Sequence, residues 1–253
     1  MGIQCTVYPS HDDASRAVAD CISTILREKP TCVLGLATGS TPLEVYAELV
    51  RRHQHTGLDF AGASTFNLDE YVGLPPEHPQ SYARYMNEHL FGQVNVDRDR
   101  THLPNTRADD LGQSAQQYET LVRSAGGVDL QLLGIGTNGH IGFNEPGTAE
   151  DSVTRVVDLA ASTIRSNSRF FEDESEVPRQ AITMGISTIL SARKIVLLAT
   201  GQSKADAVSA ALSGPVTRDN PASFLQNHAD VHFVLDEAAA ALVPGHCRCS
   251  RTT

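Results

Sequence analysis

The chain of 253 residues is short of positive charge: 20 Lys and Arg stand against 30 Asp and Glu, for a net charge of −10. That balance argues against nucleic acid or an anionic membrane as the main partner, since both require a basic face. No apolar run reaches the ~18 residues that a membrane span needs. The opening MGIQCTVYPS lacks a charged segment followed by an apolar one, so no signal peptide is expected. Internal repeats and low-complexity blocks are also missing. Cysteine is sparse and odd in number, at five. Cys5, Cys21 and Cys32 lie in or beside apolar runs and read as buried thiols, which suits a reducing cytoplasm. Cys247 and Cys249 sit in a polar tail, HCRCSRTT, without the partner cluster that a metal site requires.

What is present is a regular alternation of strand and helix. Residues 3–8, 31–37, 63–68, 129–133, 194–199 and 230–235 are short apolar or β-branched runs and read as strands. Val153 to Leu159 and Gln180 to Met184 are weaker strand candidates. Helical spacing covers about 12–28, 42–53, 81–91, 109–124, 203–213 and 236–242, with a helical turn at 186–190. Such alternation predicts a Rossmann-like, open and mostly parallel sheet with helices on both faces. Residues 1–242 form one α/β domain in this reading, and 243–253 a polar tail.

The organising stretch is DLQLLGIGTNGHIGFNEPG, residues 129–147. A buried strand breaks into a glycine-rich loop that carries Asn138, His140, Asn144 and Glu145. Gly134 to Gly139 match G-x-G-x-x-G, but a dinucleotide site needs a helix to open there. Gly142, Pro146 and Gly147 oppose one, so no nucleotide cofactor is expected.

Three other strand ends carry polar groups. Thr38, Gly39, Ser40 and Thr41 precede Pro42 at a helix start, where free N–H groups and the helix dipole favour an anion such as phosphate; the alternative is a simple cap. No Walker lysine is present. Asp69 and Glu70 follow the third strand, with solvated surface as the alternative reading. Lys204 stands at another strand-to-helix turn. Loops 38–41, 69–71, 136–145 and 201–204 should gather along the C-terminal edge of one sheet. An anion cradle, a carboxylate, a histidine with amide and acid neighbours, and a lysine suit proton abstraction beside a carbonyl in a sugar phosphate. That chemistry needs no cofactor and no metal.

The blocks GLATGSTP (35–42), TFNLDEYVGL (65–74) with Ser81-Tyr82, GIGTNGHIGFNEPG (134–147), NSRFF (167–171) and TGQSKA (200–205) resemble the signatures of the glucosamine-6-phosphate deaminase family, in order and over nearly the whole chain. The related 6-phosphogluconolactonases share a Gly-His loop, but LDEY and GHIGFNEP look like the deaminase forms. The resemblance implies conversion of glucosamine 6-phosphate and water to fructose 6-phosphate and ammonia. It assigns ring opening to His140 with Asn138 and Glu145, and proton transfer from C2 to C1 to Asp69. It gives phosphate binding to Thr38, Gly39, Ser40, Thr41, Arg169 and Lys204. Some members carry Asp where this chain has Asn138, which implies a lower ionisation of His140 here. Regulated members bind N-acetylglucosamine 6-phosphate through a basic patch and a tail tyrosine. Here Arg155 is retained, Val157 and Asp158 replace two patch positions, and no tail tyrosine is present. Weak or absent activation follows, with either a hexamer or a monomer as the assembly.

Overall fold

The computed structural model describes residues 2–168, 171, 173, 176–245 and 249–251. The apolar runs form strands and the helical periodicities form helices, because each buries one face of the same sheet. β1 (Ile3–Tyr8) leads to α1 (His11–Glu28), whose N-cap Ser10 accepts a hydrogen bond from Asp13 N–H as a cap should. β2 (Val33–Leu36) feeds α2 (Leu43–Thr56), and β3 (Ser64–Asn67) follows. After β4 (Asp69–Tyr71) comes α3 (Tyr82–Met86), which runs into a wider π turn at Asn87–Phe91. β5 (Thr101–His102), α4 (Leu111–Ser124) and β6 (Leu130–Leu133) complete the first half.

The second half holds β7 (Arg155–Asp158), α5 (Ala161–Ser168), β8 (Gln180–Thr183), α6 (Ile186–Leu190), β9 (Lys194–Ala199), α7 (Ala205–Ser213), β10 (Val231–Asp236) and β11 (Cys249–Arg251).

Eight strands form one sheet in the order β11-β1-β10-β9-β6-β2-β3-β5, with every pairing parallel. Crossovers through α1 and α2 step one way across this sheet, and those through α4 and α7 step the other way. Right-handed connections therefore put the two sets on opposite faces. All residues of β2 and β6 are buried, as expected of central parallel strands. The order reverses between β2 and β6, so their C-terminal ends bound a crevice.

Four features depart from the sequence reading. Asp69 to Tyr71 are not a loop of the main sheet. The chain leaves that sheet at Leu68 and forms a second, antiparallel sheet in the order β4-β8-β7. Asp69 and Glu70 are accordingly buried, not solvated. Residues 237–242 make turns, not a helix. Residues 249–251 of the tail add an edge strand to β1. Finally, Cys5 is disulfide-bonded, while Cys21 and Cys32 are free. Cys247 lies outside the described residues. Among the described residues no helix is long and apolar enough to cross a membrane.

Candidate active site

The loops after β2, β6 and β9 meet β4 and α3 around one cavity of about 320 Å³. Thr38, Gly39, Ser40, Thr41, Asp69, Tyr82, His140 and Lys204 all contribute to its wall. Asn138 and Glu145 stand behind His140. Arg169 lies outside the described residues.

The 38–41 loop is shaped from behind. Tyr46 and Tyr85 donate their hydroxyls to the carbonyls of Ala37 and Gly39, and the His11 ring reaches the Thr41 carbonyl. Gly39 has φ +102°, a conformation that side chains resist. Pro42 occupies the N-cap of α2, one position earlier than its expected place, and no side chain caps this helix. Neither Ser40 nor Thr41 is spent as a cap, so the helix start remains open to an anion.

Lys204 supplies a cation at the same cavity. Burial pushes its pKa below the usual lysine range. Among the described residues it has no carboxylate partner, which leaves its charge for a ligand. Its loop is held by Asp236, a residue the sequence did not single out. Both Asp236 oxygens accept the Gly201 N–H, at 3.0 and 2.9 Å, and one also accepts Ala239 N–H.

The glycine loop after β6 contains no helix, so the dinucleotide fingerprint fails on context. The loop instead builds a polar relay. Asn138 Nδ2 donates to Glu145 Oε2 at 2.6 Å, and Asn138 Oδ1 accepts from both His140 N at 3.2 Å and His140 Nδ1 at 2.7 Å. A carboxylate cannot donate, which fixes the amide orientation. An amide oxygen cannot donate either, so Nδ1 carries the hydrogen and Nε2 keeps its lone pair. Glu145 Oε1 stands 3.5 Å from Nδ1. That contact lowers the Glu145 pKa most; burial opposes it and Asn138 adds to it.

Two glycines admit this arrangement. A side chain at Gly136 would meet the His140 ring at 2.2 Å, and one at Gly142 would stand 3.4 Å from Asp69 Oδ2. Ring and carboxylate are thus packed against the same loop.

Asp69 is 6% exposed and pairs across the second sheet with Thr183. Burial pushes its pKa up to about 8, and the adjacent Glu70 carboxylate adds to the effect. A carboxyl group shielded from water, with high proton affinity, has the character of a base for a carbon acid.

The model described as glucosamine-6-phosphate isomerases/6-phosphogluconolactonase matches residues 10–233. The chain belongs to this family. It is 58% identical to a glucosamine-6-phosphate deaminase from Rhodopirellula baltica over 241 residues, which cover 95% of this chain and 96% of the relative. It is 49% identical to one from Geobacillus sp. across 94% and 95% of the two chains. Among solved structures, a monomeric glucosamine-6-phosphate deaminase superposes with a TM-score of 0.90 at 46% identity, covering 96% of this chain and all (100%) of the other. A 6-phosphogluconolactonase from Trypanosoma brucei shares the fold, with a TM-score of 0.76 at 21% identity over 95% and 98% of the chains.

In this member of the family, the retained Arg155 does not stand free. Its guanidinium donates to Asn144 Oδ1 at 2.9 Å, and Asn144 Nδ2 grips the carbonyls of Ile141 and Met184. The pair ties β7 and β8 to the loop that carries His140. Tyr82, also missed as a site residue, bonds the Thr38 side chain and donates to Tyr71 at 3.1 Å. Its ring stacks near Phe143, with centroids 6.3 Å apart and planes 9° apart.

Proposed function

We propose that the protein is a glucosamine-6-phosphate deaminase that converts glucosamine 6-phosphate and water to fructose 6-phosphate and ammonia. One observation carries this reading: Asp69 and His140 line the same cavity as the 38–41 anion cradle and Lys204. Phosphate binds the cradle and Lys204, remote from the reacting carbons, and positions the sugar between the two proton-transfer groups.

His140 Nε2, free as a base because Nδ1 is committed to Asn138, takes the O1 proton and returns it to O5, opening the ring. Glu145 and Asn138 hold the imidazole in orientation and stabilise its protonated form. Asp69 then removes the C2 proton. The electron pair forms the C1–C2 double bond, and the aldehyde oxygen takes a proton given up by the neighbouring substrate ammonium. Return of the proton from Asp69 to C1 leaves an iminium at C2. Water adds there, and ammonia departs as the ketone forms.

The decisive experiment measures ammonia release from glucosamine 6-phosphate and the departure of a C2 deuterium, whether to C1 or by exchange with solvent. Both are expected in the wild type and lost by about 10³-fold in Asp69→Asn. Activity against a sugar lactone without departure of the C2 deuterium would overturn the assignment, since ester hydrolysis needs no enolisation.

A further inference from the structure

Glu70 is a buried carboxylate, next in sequence to the cavity-lining Asp69, that this chemistry leaves unused. It is 4% exposed and directly follows Asp69 in β4. Successive strand residues face opposite ways, so the two acids leave β4 on opposite sides. Glu70 Oε1 accepts from Tyr71 N at 2.9 Å and Tyr82 N at 3.0 Å, and Oε2 accepts from Ala83 N at 2.8 Å. Burial raises its pKa above the usual carboxylate value, and these three donors pull it only part of the way back. An all-donor shell selects the ionised form, which accepts everywhere and donates nowhere.

Tyr82 and Ala83 are the first two residues of α3, and Ser81 Oγ takes the next free N–H, that of Arg84, at 3.1 Å. β4 therefore seals the start of the helix whose first side chain, Tyr82, enters the cavity wall. The ionisable groups close enough to act on Asp69 are Glu70 on the other side of its own strand, Tyr82 from α3 and Tyr118 from α4, and Thr183 of β8 is its cross-strand neighbour. His140 and Lys204 line the same cavity. Beyond burial, the charge that acts on Asp69 is that of Glu70, and no described cation offsets it.

We propose that Glu70 is a positioning residue for the enolisation base: it clamps the start of α3 so that Tyr82 stays over the cavity, and it fixes a second carboxylate next to Asp69 in the same strand. The inference rests on the reading of Asp69 as the base. A base with higher proton affinity abstracts more strongly once ionised, but less of it is ionised at neutral pH. Glu70 sets that compromise.

The test compares kcat/KM for ammonia release against pH in wild type, Glu70→Gln and Glu70→Asp, with thermal melts to verify folding. The substrate's own ionisation is common to all three and cancels. In Glu70→Gln the acid limb should move to lower pH by about one unit, the scale of one like-charge neighbour. In Glu70→Asp the charge stays and the reach shortens. The limb should stay in place while KM rises about tenfold, the equivalent of one lost hydrogen bond. A folded Glu70→Gln with an unmoved limb overturns the proposal, and so does failure of both variants to fold, which would assign Glu70 to stability alone. Continued departure of the C2 deuterium in Asp69→Asn would instead remove the reading of Asp69 on which the proposal stands.

Discussion

Asn138→Asp is the most informative change at the relay, because it replaces one nitrogen by oxygen and leaves the shape alone. The Asn138 amide now separates an anion from an imidazole, donating to Glu145 at 2.6 Å and accepting from His140 Nδ1 at 2.7 Å. An aspartate would set two carboxylate oxygens at the shorter distance. It would also place a new negative charge against the imidazole. At 2.7 Å, a unit charge pair is worth about 1.5 kcal/mol in water and about 6 kcal/mol at an effective dielectric constant of ~20. The His140 side chain is 33% exposed, which favours the lower figure. That figure corresponds to about one pH unit. On the proposed mechanism, the ionisation that limits ring opening should therefore move to higher pH by about that amount. A further ionisation should appear in the profile, since two adjoining carboxylates share a proton before both ionise. The assay is kcat/KM for ammonia release from about pH 5 to about pH 9, which spans the range of about pH 5 to 8 in which an imidazole switches. A profile superimposable on that of the wild type would refute the argument, because it would show that residue 138 does not couple electrostatically to His140.

Three other outcomes follow from the geometry. Gly136→Ala puts a methyl group into the space of the His140 ring, so kcat should fall about 100-fold while melting stays close to that of the wild type. A silent substitution would mean that the ring has room to move without cost. Asp69→Asn should be more stable than the wild type at neutral pH. The folded-state pKa of about 8 lies above the unfolded value of about 3.9, so the native state holds the extra proton and stability falls as pH rises between the two. Melting temperatures compared at pH values near 4 and near 8 should show the advantage only at the higher pH. Asp129→Ala tests the opposite edge of the sheet, where a carboxylate with 4% exposure holds Lys29, Arg193 and the Val33 N–H. Burial alone would raise the Asp129 pKa, but these partners outweigh it and hold it below the usual range. Its contribution is thus present above the unfolded pKa and lost as pH falls through the folded one. Chemical denaturation at neutral pH should show a loss of about 2–3 kcal/mol that vanishes in acid.

The parallel sheet was legible in the chain because its strands and helices are local patterns: an apolar run such as 194–199, or a helical stripe such as 12–28, declares itself within one element. The relay of Asn138, His140 and Glu145 was equally legible, since eight consecutive residues of one loop contain it. The rest depended on partners distant in sequence. Three residues, Asp69 to Tyr71, carry too short a pattern to announce a strand, and only pairing with β8 makes them one. That pairing buries both acids, raises the pKa of each and turns Glu70 onto α3. Asp236 gave no signal because its partner, Gly201, belongs to a different strand end. The tail strand was hidden because a polar edge strand has no apolar signature, and β1 supplies its hydrogen bonds. Local periodicity thus determined the six central strands of the sheet and the loops after β2, β6 and β9 that meet at its edge. Long-range pairing alone decided which carboxylates lost their water, and therefore which one has the proton affinity that the proposed base requires.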